Sequence, residues 1–142
     1  MASPANALQA AIYTRLTGYA PLTTALGGAK VYDHVPQGTT GPYVLIGDAT
    51  VLDWSTKTEA GWEYTVTLHA WDFEVAGRKS VNAILAHLYD ALHQQEASIT
   101  VTGFSLVQIR LDNEVPAFPE QIEGQTDHYY HGVTRFRATL QA

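Results

Sequence analysis

The stretch Gly61–Gln95, GWEYTVTLHAWDFEVAGRKSVNAILAHLYDALHQQ, changes periodicity partway through. From Trp62 to Ala70 the residues alternate: Trp62, Tyr64, Val66, Leu68 and Ala70 take one side, and Glu63, Thr65, Thr67, His69 and Trp71 the other. A period of two, rich in β-branched and aromatic residues, predicts a half-buried strand. After a short turn, Val81, Ile84, Leu85, Leu88 and Leu92 recur at helical spacing, while Lys79, Asn82, Ala86, Asp90 and His93 lie mostly off that stripe. A strand with one apolar face and a helix with one apolar stripe can bury each other, so this pair is the expected core.

On the N-terminal side, Ser3-Pro4 reads as a helix start, with Leu8, Ile12 and Leu16 on one face and Gly18 as the stop. Pro21–Leu26 predicts a short second helix ended by Gly27-Gly28, and Val31-Tyr32 a brief strand. Pro36–Pro42 is a turn-rich loop. Tyr43–Val51 reads as a strand whose Gly47 marks a bulge or a close backbone approach. Leu52–Ala60 is the expected hairpin loop, with Trp54 in it. On the C-terminal side, Ser98–Asp112 alternates, with Val107, Ile109 and Leu111 opposing Leu106, Gln108 and Arg110, and Gly103 dividing it. Asn113–Asp127, with its prolines and acids, predicts a long irregular loop carrying Phe118. His128–Gln141 alternates again as a terminal strand, with Tyr130, Thr134, Phe136, Ala138 and Leu140 opposing Val133, Arg135, Arg137 and Thr139. The sum is an α+β fold: a four- to five-stranded, mainly antiparallel sheet with helices on one face. A length of 142 residues suits a single domain, 1–142, able to bury a core without staples.

Composition excludes several classes of chemistry. With no cysteine there is no disulfide, thiolate nucleophile or thiolate metal site. No apolar run approaches the roughly 20 residues of a membrane span, and the N-terminus lacks the pattern of a signal peptide, so a soluble intracellular product without membrane contact is expected. A net charge of −6 opposes sequence-independent nucleic-acid binding, which needs a basic stripe. Eight tyrosines and three tryptophans with few charges suit either a β-rich core or a protein–protein interface.

Catalytic motifs are absent: no phosphate loop, dinucleotide fingerprint or nucleophile elbow. The best metal candidate is His128-Tyr-Tyr-His131, with Asp127 or His69 as a third ligand, but a strand sends residues three apart to opposite faces. No cofactor, metal or catalytic residue is therefore expected. Arg135 and Arg137, with Arg110 nearby, form either an anion or partner contact or a solvated face paired with acids. The face bearing Thr65, Thr67, His69 and Trp71 is neither clearly core nor charged, and Trp54 and Phe118 are loop aromatics able to anchor in another chain. These six residues are the candidate partner interface.

Val31-Tyr-Asp-His-Val-Pro36 followed by Gly41-Pro-Tyr-Val-Leu-Ile-Gly47 resembles the tail terminator, or tail completion, family of long-tailed phages and phage-like gene transfer agents. Thr67-Leu-His-Ala-Trp71 leading into NAILAHLYDAL, and the closing His131-Gly-Val-Thr-Arg-Phe-Arg-Ala138, are similar too, so the resemblance spans nearly the whole chain. It implies a structural virion protein, not an enzyme. Such a protein forms a ring, usually hexameric, at the head-proximal end of the tail tube, assembled in the host cytoplasm. The ring stops tube polymerisation, joins the head connector and lets DNA pass through its centre without specific binding. A neck adaptor that joins head to tail, and a small enzymatic or metal-binding α+β domain centred on His128 and His131, are the alternatives.

Overall fold

The computed structural model describes residues 3–121, 124 and 128–142. Five strands, β1 (Val31–Tyr32), β2 (Tyr43–Asp53), β3 (Gly61–Phe73), β4 (Ser105–Gln121) and β5 (His128–Gln141), form one sheet in the order β1-β2-β3-β5-β4. Among the described residues the β1–β2 pair is parallel and the other three pairs are antiparallel. Three helices, α1 (Pro4–Thr17), α2 (Ala20–Leu26) and α3 (Gly77–Leu92), supply the other layer. This is the α+β arrangement expected from the alternating and helical periods.

Each helix begins or ends where its local chemistry dictates. The Ser3 hydroxyl accepts the Asn6 N–H (3.2 Å) and Pro4 occupies the first turn, where a missing N–H costs nothing. Gly27 caps α2 in the left-handed conformation (φ 76°), which a residue without Cβ adopts freely. At the β3–α3 junction the buried Asp72 carboxylate accepts the Phe73 N–H (2.8 Å) and the Ser80 hydroxyl, fixing the angle at which α3 leaves the sheet.

The core is one cluster between the helices and one face of the sheet. Val81, Ile84, Leu85, Leu88 and Leu92 of α3 meet Leu68 and Ala70 of β3 and Phe136, Ala138 and Leu140 of β5, with Leu8, Ile12 and Leu16 of α1 beside them. Gly132 lets α3 sit directly on β5: a Cβ there would lie 2.8 Å from side-chain carbons of Val81 and Leu85.

Three expectations need correction. Asn113–Gln121 is not an irregular loop but the second half of β4, paired with β5 from Asn113↔Arg135 to Gln121↔His128. Residues 122–123 and 125–127 of the expected loop, Asp127 among them, lie outside the described residues. Pro119 pairs within the ladder opposite Tyr130, and Pro116 falls at a register shift between Val115 and Phe118, where no ladder hydrogen bond is required of it. A further shift between Leu106 and Gln108 breaks the expected β4 alternation: Val107 is extruded and exposed, while Leu106, Ile109 and Leu111 oppose the core residues Leu140, Ala138 and Phe136. The hairpin loop is also shorter than expected, because β2 continues through Asp53.

Candidate functional site

Residues with odd numbers on β3 and β5 face away from the helices. At the Phe73 end of the sheet these positions carry rings, and the register brings them together. Trp71 lies opposite both His131 and Tyr43; Phe73 lies opposite Tyr129. From β4, Phe118 opposes His131 and Glu120 opposes Tyr129.

His131 is the centre of the cluster. Its imidazole stacks on the Trp71 indole at 3.7 Å between centroids and 9° between planes, with Phe118 on it at 4.9 Å. Tyr129 stands edge-on to Trp71 (6.3 Å) and stacks on Phe73 (5.1 Å), and Tyr43 extends the row at 6.4 Å from Trp71. His131 is therefore 93% buried, being 7% exposed, although it points away from the core. The Trp71 Nε1–H is buried with no hydrogen-bond partner among the described residues, so the ring cluster holds an unanswered donor.

The polar contacts run in a line from Glu120 through His131 to His69. His131 Nδ1 is 2.7 Å from Glu120 Oε2, and His131 Nε2 is 2.7 Å from His69 Nδ1. An ionised carboxylate only accepts, so Nδ1 of His131 carries the hydrogen, its Nε2 accepts, and His69 Nδ1 donates. Burial pushes His69 below the ordinary histidine value; His131 and Arg135 add to this, against Glu120 and Asp48. Burial also lowers His131, opposed by the hydrogen bond and charge of Glu120. The Tyr43 hydroxyl is pushed up to about 12 by burial and then by Tyr129. The His69 ring rests on the Gly47 backbone at the β2 register shift, where a Cβ would lie 2.7 Å from Nε2. The relay thus ends against a glycine, and His69 makes no second side-chain hydrogen bond among the described residues.

Of the six candidate interface residues, His69, Trp71 and Phe118 come together here. Thr65 and Thr67 lie further along the same face, opposite Arg137 and Arg135. Arg137 pairs with Glu63 (3.7 Å) and Asp112, so acids of its own sheet neutralise it, while Arg135 reaches the uncharged amide of Asn113 (3.5 Å). Trp54 stands apart beside Gly61, ten residues of strand or roughly 33 Å from Trp71, and is 39% exposed. His128 and His131 do not share a site: His128 is 4.0 Å from Glu74. Among the described residues no group of three or more His, Asp or Glu side chains could hold a metal ion, and no helix is long and apolar enough to cross a membrane. Glu120 was not among the residues expected at the site; its place depends on the β4–β5 register.

Comparison with known proteins matches this architecture to tail proteins. Residues 10–141 match the family model described as tail completion protein gp17. A chain in the virion of a native gene transfer agent particle superposes with a TM-score of 0.80 at 31% identity, covering 100% of both chains. A second solved structure, at 15% identity and a TM-score of 0.53, covers 97% of this chain and 95% of its own and shares the fold alone. No curated protein sequence matches. On a family match across nearly its full length, the chain belongs to the tail completion protein gp17 family, whose members are structural proteins of the phage tail.

Proposed function

We propose that this protein acts as a ring at the head-proximal end of the tail tube, where it stops tube growth and offers the surface that joins the head. The observation that carries this reading is the outer face of the sheet, which no helix covers. The helices cover one side, while the other presents Thr65, Thr67, His69 and Trp71 with a buried, unanswered indole donor. A half-buried aromatic row is what the core of an interface needs. One head-to-tail contact, repeated until it closes, gives a cyclic ring, and a hexamer would suit the family. Each of the six interface residues then meets a neighbouring copy or the tube. Trp54 is the cleaner anchor of the two loop aromatics foreseen, because Phe118 is already engaged with His131.

The net charge of −6 suits a lumen through which DNA must slide, since an acidic protein does not hold phosphate. A family of structural tail proteins, together with a histidine relay that ends on a glycine, supports a role without catalysis or cofactor. The whole of 1–142 is taken as the assembling domain, acting in the virion tail after assembly in the host cytoplasm.

The test is partner choice. Purified protein should bind the end of assembled tail tubes, and Trp54→Glu should stay folded while losing ring formation or tube-end binding. Binding to the head connector alone, with none to the tube, would replace this reading with that of a neck adaptor.

A further inference from the structure

The sheet has two edges, and among the described residues they are guarded to different degrees. Along β4, the Ile109 N–H donates to Glu96 Oε1 (3.2 Å), the Leu111 N–H to His93 Nδ1 (3.0 Å) and the Ala117 N–H to Asn82 Oδ1 (3.0 Å). The carbonyls are met as well: Gln94 N–H donates to Ile109 O (3.0 Å) and Arg78 Nη1 to Ala117 O (2.7 Å). Side chains and backbone from α3 and the segment after it thus occupy outward bonds at Ile109, Leu111 and Ala117, which interrupts the ladder a further strand would need.

The β2 edge is different. β1 covers only Val44 and Leu45 and then turns away. Beyond the register shift, Asp48–Asp53 continues as strand with every residue exposed, Val51 at 50% and Leu52 at 65%. Trp54 N–H donates to Gly61 O (3.0 Å), and hydrogen-bonded pairs alternate along an antiparallel ladder, so the N–H and C=O groups of Ala49, Val51 and Asp53 point outward. None of them has a backbone partner on that side among the described residues. The stretch contains neither proline nor lysine, the usual guards of an open edge. Beside it, under the helix face, lies a pocket of about 230 Å³ lined by Leu8, Ile12, Ile46, Ala49, Tyr64 and Val66. Outward backbone groups next to a side-chain pocket are the two parts of strand addition: hydrogen bonds hold the strand and the pocket selects its side chain.

The charges select the occupant. Asp48 and Asp53 bracket the uncharged Ala49–Leu52, and neither has a cationic partner among the described residues. A second copy laid antiparallel with its apolar centre in register would set Asp48 against Asp53 at both ends, which is destabilising. The β4 edge of a copy has the Ile109, Leu111 and Ala117 donors taken and so offers no uninterrupted ladder. We propose that Asp48–Asp53 accepts a strand from a different protein, an extended segment apolar at its centre and basic at both ends. This needs only an open edge on the folded chain and stands apart from the ring reading.

The probe is a blocked, fluorescein-labelled peptide of alternating threonine and leucine with lysine at each end, followed by fluorescence anisotropy against the full-length protein. Saturable binding is expected. Val51→Pro removes an outward N–H without touching the β3 ladder, and it should weaken binding about tenfold or more. The Asp48→Lys, Asp53→Lys double variant should do the same and should come to prefer a glutamate-ended peptide. Circular dichroism checks the fold, and mass photometry should find the oligomeric state of Val51→Pro unchanged. Should Val51→Pro not fold, the charge-reversed variant decides alone, since both of its positions are exposed. Absent saturable binding, or equal affinity for the wild type and the charge-reversed variant, would overturn the proposal. So would an oligomer that dissociates in Val51→Pro while peptide binding is kept, which would assign the edge to a second copy.

Discussion

The two faces of β3 are built from the same alternating strand and do opposite things. Tyr64, Val66, Leu68 and Ala70 are buried against α1 and α3 in a close-packed core. Thr65, Thr67, His69 and Trp71 are half-buried, and what covers them is other side chains of the sheet itself. A residue's neighbours on the helix face come from a layer that must be there for folding. On the outer face they come from strand register alone, which leaves room for a partner. Substitutions on the first face should therefore read out as stability, and on the second as assembly.

The largest effect belongs to the helix face. Leu68 and Leu88 are fully buried, and Leu68→Ala or Leu88→Ala should each destabilise by about 2–5 kcal/mol in chemical denaturation. Less than about 0.5 kcal/mol for both would mean that this face is not the core.

The glycines give a matched pair. Gly132→Ala drives a methyl into Val81 and Leu85, which the packed α3 cannot easily yield, and should cost about 1–3 kcal/mol. Gly47→Ala meets the far end of the His69 side chain, which can turn away. It should cost less, yet break the His69–His131 contact, visible as a change in the imidazole ¹⁵N shifts. Equal stability losses with unchanged shifts would contradict the assignment of faces.

The outer face should also carry a pH signature. His69 and His131 both titrate below the ordinary 6.5 when folded, so the unfolded chain takes up protons first as the pH falls. Their contribution is complete above 6.5 and is lost as the pH drops from there through the folded values. The melting temperature should fall over that window in the wild type, and His69→Asn should flatten the decline. A decline unaltered by His69→Asn would assign it to other groups. The smallest effect is expected of Thr65→Ala and Thr67→Ala, within about 0.5 kcal/mol of wild type by denaturation. A larger loss would mean that the outer face is part of the folding core.

These faces were legible in the sequence to different depths. The β3 alternation and the α3 stripe each lie within one continuous segment, so period alone assigned their buried sides. In β4 it could not: three register shifts extrude Val107 and the residues around Asp112 and Pro116, and each resets which side the next residue takes. That is why Asn113–Gln121 read as a loop. The histidine relay was hidden for a related reason. Alternation sends His69 and His131 outward, but their meeting depends on β3 pairing with β5, which are not a hairpin, and Glu120 arrives only through the bulged β4. The His128–His131 spacing drew attention in sequence, whereas in space His131 belongs with residues 62 and 11 positions away.

The most direct test of the terminator reading is electron microscopy of particles assembled without this protein. Tails of uncontrolled length, or tails of any length not joined to heads, are predicted. Head-attached tails of normal length in its absence would contradict it.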